Sequence, residues 1–142
     1  MENNNIFAKW DNAVDVEGLQ KDVKEAEQII ANGIKYYVEV SNMPSTNEAI
    51  ALLKANGVVV APSKAVNAGG VAVSGLEMSQ NSMRYSWTAE EVDQKLKQIM
   101  KGIYDASVAA AKEYGMEGDL VAGANIAGFL KVADAMMAQG VV

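Results

Sequence analysis

Apolar residues follow two different spacings along the chain. Over residues 16–31 they recur at helical intervals, which predicts an amphipathic helix. The residues concerned are Val16, Leu19, Val23, Ala26 and Ile30. Two runs, Ile34–Val40 and Val58–Pro62, are instead rich in β-branched or aromatic residues, which predicts strands. The second run is unbroken by polar residues, so we expect it to be buried on both faces of a sheet.

Turn and capping residues mark the predicted ends of these elements. Asn32–Gly33 predicts the end of the first helix, because glycine accepts the left-handed backbone found there. Ser45 and Glu48 have the spacing of a capping box, which predicts a short helix from about Thr46 to Asn56–Gly57. A helix between two strands predicts that the strands are parallel, with a right-handed crossover.

Beyond the second strand the pattern is helical to the end of the chain. It predicts a helix over Ala68–Arg84, a second after the capping box Thr88–Glu91, and a third over Ala124–Gln139. One face of the second helix is expected to carry Val92, Leu96, Ile99, Ile103, Ala110 and Tyr114. The third is expected to bury Ile126, Phe129, Leu130, Ala133 and Met137.

Composition narrows the possible chemistry. The chain has no cysteine and no histidine, which removes disulfides, thiolate nucleophiles and the commonest metal ligand. Its 18 acidic and 12 basic residues give a net charge of −6, which argues against a nucleic-acid or anionic-lipid partner. We find no apolar run of membrane-spanning length and no secretory pattern at the start. We therefore expect a cytoplasmic protein with no membrane partner and no metal.

Two parallel strands make a sheet too small to be stable alone, because parallel sheets need cover on both faces. Either a partner supplies further strands, or the chain is part of a larger α/β domain, which we favour. Residues 1–15, rich in asparagine, are expected to form a loose N-terminal arm.

The start of the Ala68–Arg84 helix carries the candidate ligand-binding residues. Asn67, Val71 and Ser74 are spaced so that an amide, a branched apolar group and a hydroxyl share one helix face. Unpaired amides at the helix start favour a carboxylate or polar carbonyl, and Gly69–Gly70 would let it approach the backbone. Small residues also serve plain helix packing, and asparagine is an ordinary helix cap, so both interpretations stay open.

Long blocks of the chain resemble a known family. The segments YYVEVSNMPSTNEA, ANGVVVAPSKAVNAGGVAVSGLEMSQNSMRYSWTAEEVD and LVAGANIAGFLKVADAMMAQG are similar to the C-terminal part of hexameric glutamate dehydrogenases, in the Glu/Leu/Phe/Val dehydrogenase family. The resemblance runs from about Ala31 to the last residue. It implies that residues 16–120 form part of a Rossmann-like NAD(P)-binding domain. It also implies that residues 121–142 form a helix returning toward the substrate domain.

The resemblance further implies oxidative deamination of L-glutamate to 2-oxoglutarate and ammonia, with hydride transfer to NAD or NADP, in a homohexamer. Asn42 resembles the asparagine near the nicotinamide ribose of the cofactor. Asn67 resembles the asparagine near the nicotinamide and the amino-acid end of the substrate. Val71 resembles the residue that lines the pocket for the glutamate side chain, and Ser74 the hydroxyl that binds its carboxylate.

Parts of such an enzyme have no counterpart in these residues. The chain contains no G-x-G-x-x-G turn, and nothing in it matches the catalytic lysine and aspartate of the family. Lys64 and Lys131 are interpreted as solvated lysines, and Asp93, Asp105 and Asp134 as charges on helix surfaces.

We assign no catalytic residue and expect the 142 residues alone to be inactive. The partners that the resemblance implies are the rest of the dehydrogenase or identical subunits. The alternative is a non-catalytic interaction module, or an amino-acid-binding paralogue of the family.

Overall fold

A computed structural model describes residues 16–140, without the side chains of residues 16, 17 and 19. The predicted arm over residues 1–15, residues 141–142 and the predicted packing of Val16 and Leu19 lie outside the described part. In chain order the elements are helix α1 (Val16–Ala31), strand β1 (Tyr36–Val38), α2 (Asn47–Ala55), β2 (Val59–Ala61), α3 (Ser63–Val66), α4 (Ala68–Met83), α5 (Ala89–Glu113) and α6 (Leu120–Gln139).

The two strands form a parallel ladder, as predicted. Tyr36 is opposite Val59, and Val38 is opposite Ala61. Helix α2 makes the crossover between them, so the carboxyl ends of both strands lie at the same edge of the sheet. The fold is therefore α/β, with two parallel strands followed by a helical half.

Both strands are shorter than the runs that predicted them. The prediction that β2 is buried on both faces is wrong, because Val60 is buried whereas Val59 between its neighbours is 40% exposed. Successive side chains of a strand point to opposite faces, so one face of this sheet is covered and the other is open in the described chain.

The covered face carries the core. Its buried members are Ala26, Ala49, Leu53, Val58 and Val60, with Ile29, Ile30, Tyr37, Ile50, Leu52 and Val121 packed against them. These residues come from α1, α2, both strands and the start of α6. The first helix, the crossover and the last helix thus meet on one side of the ladder.

Local signals placed most of the helix ends correctly. Gly33 and Gly57 have φ of +69° and +75° after α1 and α2, and Thr88 and Glu91 form the predicted capping box of α5. The capping box at Ser45 is wrong. Thr46 caps α2 by accepting the Ala49 N–H, since the Ser45 hydroxyl pairs with Tyr37 instead.

Helices α5 and α6 pack against each other through small residues. Gly123 is buried, and a Cβ placed on it would lie 2.0 Å from the carbonyl oxygen of Ser107 and 3.0 Å from the Cβ of Ala111. Ser107 and Ala111 are buried at the same crossing, and the Ser107 hydroxyl donates to the Ile103 carbonyl within its own helix. The two helix backbones can approach this closely only because position 123 has no side chain.

Apolar residues farther along these helices are less buried than predicted. Phe129 and Met137 are 69% and 72% exposed, so their predicted burial is wrong, and Ile99 and Tyr114 on the predicted apolar face of α5 are also exposed. Of the remaining predicted residues of α6, Ile126, Leu130 and Ala133 are half-buried. A helical pattern identifies an apolar face, but it does not show what packs against that face. The described chain supplies no neighbour for the exposed apolar residues of α5 and α6.

Helix α6 is long and apolar enough, by length and composition alone, to cross a membrane, and little of it is buried. The expectation that no segment has this length is therefore wrong. Its apolar character is spread over many alanines and glycines, which do not stand out as a dense apolar run.

Helix α6 begins four residues earlier than predicted because Asp119 caps it. The Asp119 carboxylate accepts the N–H groups of Val121 and Ala122 at 3.1 and 3.0 Å, and it pairs with Lys54 at the end of α2. Partial burial raises the pKa of Asp119, but the hydrogen bond from Lys54, the two backbone N–H groups and the Lys54 charge outweigh it. The pKa of this carboxyl group is therefore held below its ordinary value.

We expect Gly123→Ala to lower the free energy of unfolding by about 1–3 kcal/mol, because the added methyl group would force α5 and α6 apart. Urea denaturation measures this loss. Gly128→Ala is the matched control, since nothing lies within 4 Å of a Cβ at this position of the same helix. The control should be neutral or slightly stabilising, and equal effects of the two substitutions would contradict the close crossing.

Asp119→Asn keeps a capping oxygen but removes the charge and the second oxygen, which accepts a hydrogen bond from Lys54. We expect it to lower the free energy of unfolding by at most about 1 kcal/mol at neutral pH, since the ion pair is partly solvated. Because the folded-state pKa is lowered, this stabilisation is present above the unfolded-state pKa and is lost as the pH falls through the folded-state pKa.

The difference between wild type and Asp119→Asn should therefore shrink toward zero in urea titrations carried down to about pH 2. Asp134→Asn, an exposed carboxylate on the same helix, is the control and should have little effect at any pH. A loss for Asp119→Asn that does not change with pH would contradict the assigned charge interaction.

Candidate functional site

The candidate site lies beyond the carboxyl ends of the two strands. The loop after β1 carries Asn42, and the segment after β2 runs through the short helix α3 to Asn67 at the start of α4. In α/β folds this edge of a parallel sheet is where ligands bind, because the loops there are free to present side chains.

The two predicted asparagines are in contact. The Asn67 side-chain amide donates to the Asn42 side-chain oxygen at 2.5 Å. Asn67 makes no side-chain cap to α4, and its backbone is already helical, so the interpretation of Asn67 as an ordinary cap is wrong. Its amide is directed at the neighbouring loop instead.

Val71 and Ser74 lie on α4, which is continuous from Ala68, so they share a face with Asn67. Val71 is 77% exposed and Ser74 is exposed. The Ser74 hydroxyl makes no hydrogen bond within residues 16–140, whereas Ser79 on the same helix donates to the Gly75 carbonyl at 2.9 Å. This row of side chains is therefore not covered by packing from the described chain.

The two glycines at the start of α4 have different surroundings. A Cβ on Gly70 would meet nothing within 4 Å. A Cβ on Gly69 would make an ordinary contact with Met100 at 3.5 Å, so this glycine faces α5. Open space for a ligand exists at Gly70, while Gly69 belongs to the packing between helices.

Two buried polar residues of the site were missed by the sequence analysis. Glu39, directly after β1, is 4% exposed, and its Oε2 accepts the backbone N–H of Ser63 at 3.2 Å. Ser63, 6% exposed, also accepts the Met43 N–H through its hydroxyl at 3.4 Å. The available signal was the single carboxylate inside the apolar run YYVEV.

The charged residues considered earlier lie on the surface. Lys64 is exposed and donates to the Asn125 side chain at the start of α6, and Lys131 is exposed farther along that helix. Asp93 and Asp105 pair with Lys97 and Lys101 of α5 at 2.6 and 2.5 Å. Across the described residues, no three aspartates or glutamates lie close enough to hold a metal ion.

Comparison with known proteins gives a consistent result. The family model for glutamate/leucine/phenylalanine/valine dehydrogenase matches residues 2–140. The NAD-specific glutamate dehydrogenase of Clostridium symbiosum is 65% identical over 121 residues, which are 84% of this chain and 27% of that protein. The NADP-specific glutamate dehydrogenase of Escherichia coli K12 is 56% identical over 124 residues, covering 85% of this chain and 27% of that protein.

Solved structures agree with these matches. One glutamate dehydrogenase superimposes with a TM-score of 0.80 at 65% identity, covering 84% of this chain and 27% of the other. The Plasmodium falciparum enzyme also gives 0.80, at 51% identity, with 84% and 26% covered. The chain thus spans about a quarter of the length of the relatives it matches. On this sequence and structural similarity, the chain belongs to the glutamate/leucine/phenylalanine/valine dehydrogenase family.

Proposed function

We propose that this chain forms the C-terminal part of the Rossmann-like dinucleotide-binding domain of an NAD(P)-dependent glutamate dehydrogenase. Its reaction is the oxidative deamination of L-glutamate to 2-oxoglutarate and ammonia. The observation that carries the proposal is the contact between Asn42 and Asn67, beside an open helix face that presents Val71 and Ser74. The matched relatives, named as NAD-specific and NADP-specific glutamate dehydrogenases, support it.

In this proposal the two asparagines orient the reacting groups. The dinucleotide, when bound, accepts the hydride from the substrate. Asn42 lies near the nicotinamide ribose, and Asn67 lies between the nicotinamide and the amino-acid end of glutamate. Because each side-chain amide has both donors and an acceptor, the pair can bind a ligand while keeping the hydrogen bond between them.

Val71 and Ser74 are proposed to select the substrate side chain. Val71 contacts its methylene groups, and the Ser74 hydroxyl donates to its carboxylate. An apolar substrate would leave that hydroxyl unpaired in the closed site, at a cost in free energy. The pair therefore favours glutamate over branched-chain or aromatic amino acids.

The remaining parts of the active site are proposed to come from the rest of the dehydrogenase or from identical subunits. These are the glycine-rich turn, the catalytic lysine and aspartate, and the cover for the open face of the sheet. A homohexamer in the cytoplasm belongs to the same proposal, supported by the resemblance.

A chimera tests the proposal directly. The matching 27% of the Clostridium symbiosum enzyme is replaced by this chain, and glutamate-dependent reduction of NAD is followed by absorbance. We expect activity from the chimera and none from the 142 residues alone. A chimera that folds and binds glutamate and dinucleotide without turnover would overturn the proposal and favour an amino-acid-binding module.

Ser74→Ala in the active chimera should raise the KM for glutamate about 10- to 100-fold, because a hydrogen bond to a charged group contributes about 1.5–3 kcal/mol. Initial-rate kinetics measure the change. Ser79→Ala is the matched control, since its hydroxyl is already bonded within the same helix. An unchanged KM for Ser74→Ala would show that this hydroxyl does not bind the substrate carboxylate.

Asn42→Ala should weaken dinucleotide binding about fivefold, the effect of losing one neutral hydrogen bond of about 1 kcal/mol. Fluorescence titration of the reduced dinucleotide measures the Kd without requiring turnover. Asn81→Ala, an exposed asparagine late in α4, serves as the control. If both variants bind the dinucleotide equally well, Asn42 does not contact it.

A further inference from the structure

We propose that Ser63 and Glu39 are positioning residues that hold Asn42 and Asn67 in contact and so set the geometry of dinucleotide binding. This inference rests on the proposed function for its kinetic consequence. The positioning itself is a property of the ligand-free protein, so it can be tested separately.

Ser63 makes hydrogen bonds to both segments of the site through three different groups. Its backbone N–H donates to Glu39 Oε2 at 3.2 Å, and its hydroxyl accepts the Met43 N–H at 3.4 Å. Its carbonyl oxygen accepts the N–H of Asn67 at 2.8 Å. Asn67 is therefore hydrogen-bonded to Ser63 directly. Asn42 precedes Met43, which is also hydrogen-bonded to Ser63.

Glu39 ties Ser63 to the sheet. Its own N–H donates to the Ala61 carbonyl at 3.1 Å, which extends the pairing of β1 with β2 by one residue. Its side-chain oxygen accepts the N–H of Ser63, the first residue of α3, and so fixes the start of that helix. The loop after β1 and the segment after β2 are thus locked together at the point where both leave the ladder.

The loop that carries Asn42 needs such a restraint. Met43 has φ of +45°, a left-handed conformation that costs a residue with a side chain about 1–2 kcal/mol. Its side chain is exposed, so packing does not hold it in this conformation. The Met43 N–H donates to the Ser63 hydroxyl at 3.4 Å, and this contact helps to hold the loop in its left-handed conformation.

The carboxylate of Glu39 is poorly explained by stability alone. Its Oε1 is buried without a hydrogen-bond partner in the described structure, and Oε2 has a single backbone donor. Burying a carboxylate with so few donors is unfavourable, and an apolar side chain would avoid the cost. The hydrogen bond that Glu39 accepts from the Ser63 N–H accounts for a glutamate at this position.

The test uses Ser63→Ala in the intact enzyme or in the active chimera. The variant removes the hydroxyl and keeps the N–H and carbonyl bonds. We expect the separation of Asn67 Nδ2 and Asn42 Oδ1 in a ligand-free crystal structure to exceed 3.5 Å. We expect the KM for the dinucleotide to rise about fivefold with kcat changed less, because Asn42, whose loop Ser63 holds, is proposed to contact the ribose of the dinucleotide rather than the atoms that exchange the hydride.

Two further variants separate positioning from general stability. Ser107→Ala removes a similarly buried hydroxyl whose hydrogen bond is made within α5 and not to either asparagine segment, and it should leave the KM unchanged. Ser63→Thr keeps the hydroxyl and should restore the asparagine contact. Glu39→Gln keeps an acceptor for the Ser63 N–H and should retain the contact better than Glu39→Ala.

An asparagine pair that stays at its wild-type separation in both Ser63→Ala and Glu39→Ala would overturn the inference. This readout needs neither glutamate nor a dinucleotide. A protein without dehydrogenase activity would therefore refute the proposed function while leaving the positioning result to be decided by the crystal structures.

Discussion

The close approach of α5 and α6 at Gly123 is the constraint on which the arrangement of the helical half depends. With the helix backbones in near contact, the start of α6 reaches the core beside Leu53, where Val121 packs against the cluster and Asp119 pairs with Lys54. The same stretch of α6 places Asn125 within reach of Lys64, next to Ser63. Glycine at position 123 thus allows the last helix to pack against the crossover helix and against the segment after β2.

The site is organised by polar contacts rather than by apolar packing. Its two asparagines lie on segments with no regular pairing between them, and beyond the ladder that ends at Val38 and Ala61 the hydrogen bonds of Ser63 to Glu39 and Met43 connect these segments. Because Ser63 and Glu39 are buried at the sheet edge, their hydrogen bonds hold the loops while the outer face of α4 stays open to solvent. A site that binds a small polar molecule needs side chains held in fixed positions and a surface that the molecule can reach.

The sequence predicted those features that depend on residues close together along the chain. Helix ends, the capping box at Thr88 and the parallel strands follow from short spacings. Helical spacing also singled out Asn67 as a candidate, whereas Asn42 was a candidate only through the family resemblance. Burial of Phe129 and Met137 was predicted wrongly, because an apolar pattern does not reveal whether the described residues supply a neighbour. The bond between Glu39 and Ser63 spans 24 positions, and no local pattern marks a contact of that range.

The helix pair α5–α6 also bears on the order of folding. Its two members are consecutive along the chain and joined by a short loop, so their contacts close small loops and are favoured to form early. The strand ladder must first bring together segments separated by a whole crossover helix. The strand-end loops depend on that ladder for their shape, so we expect them to become ordered after it during refolding.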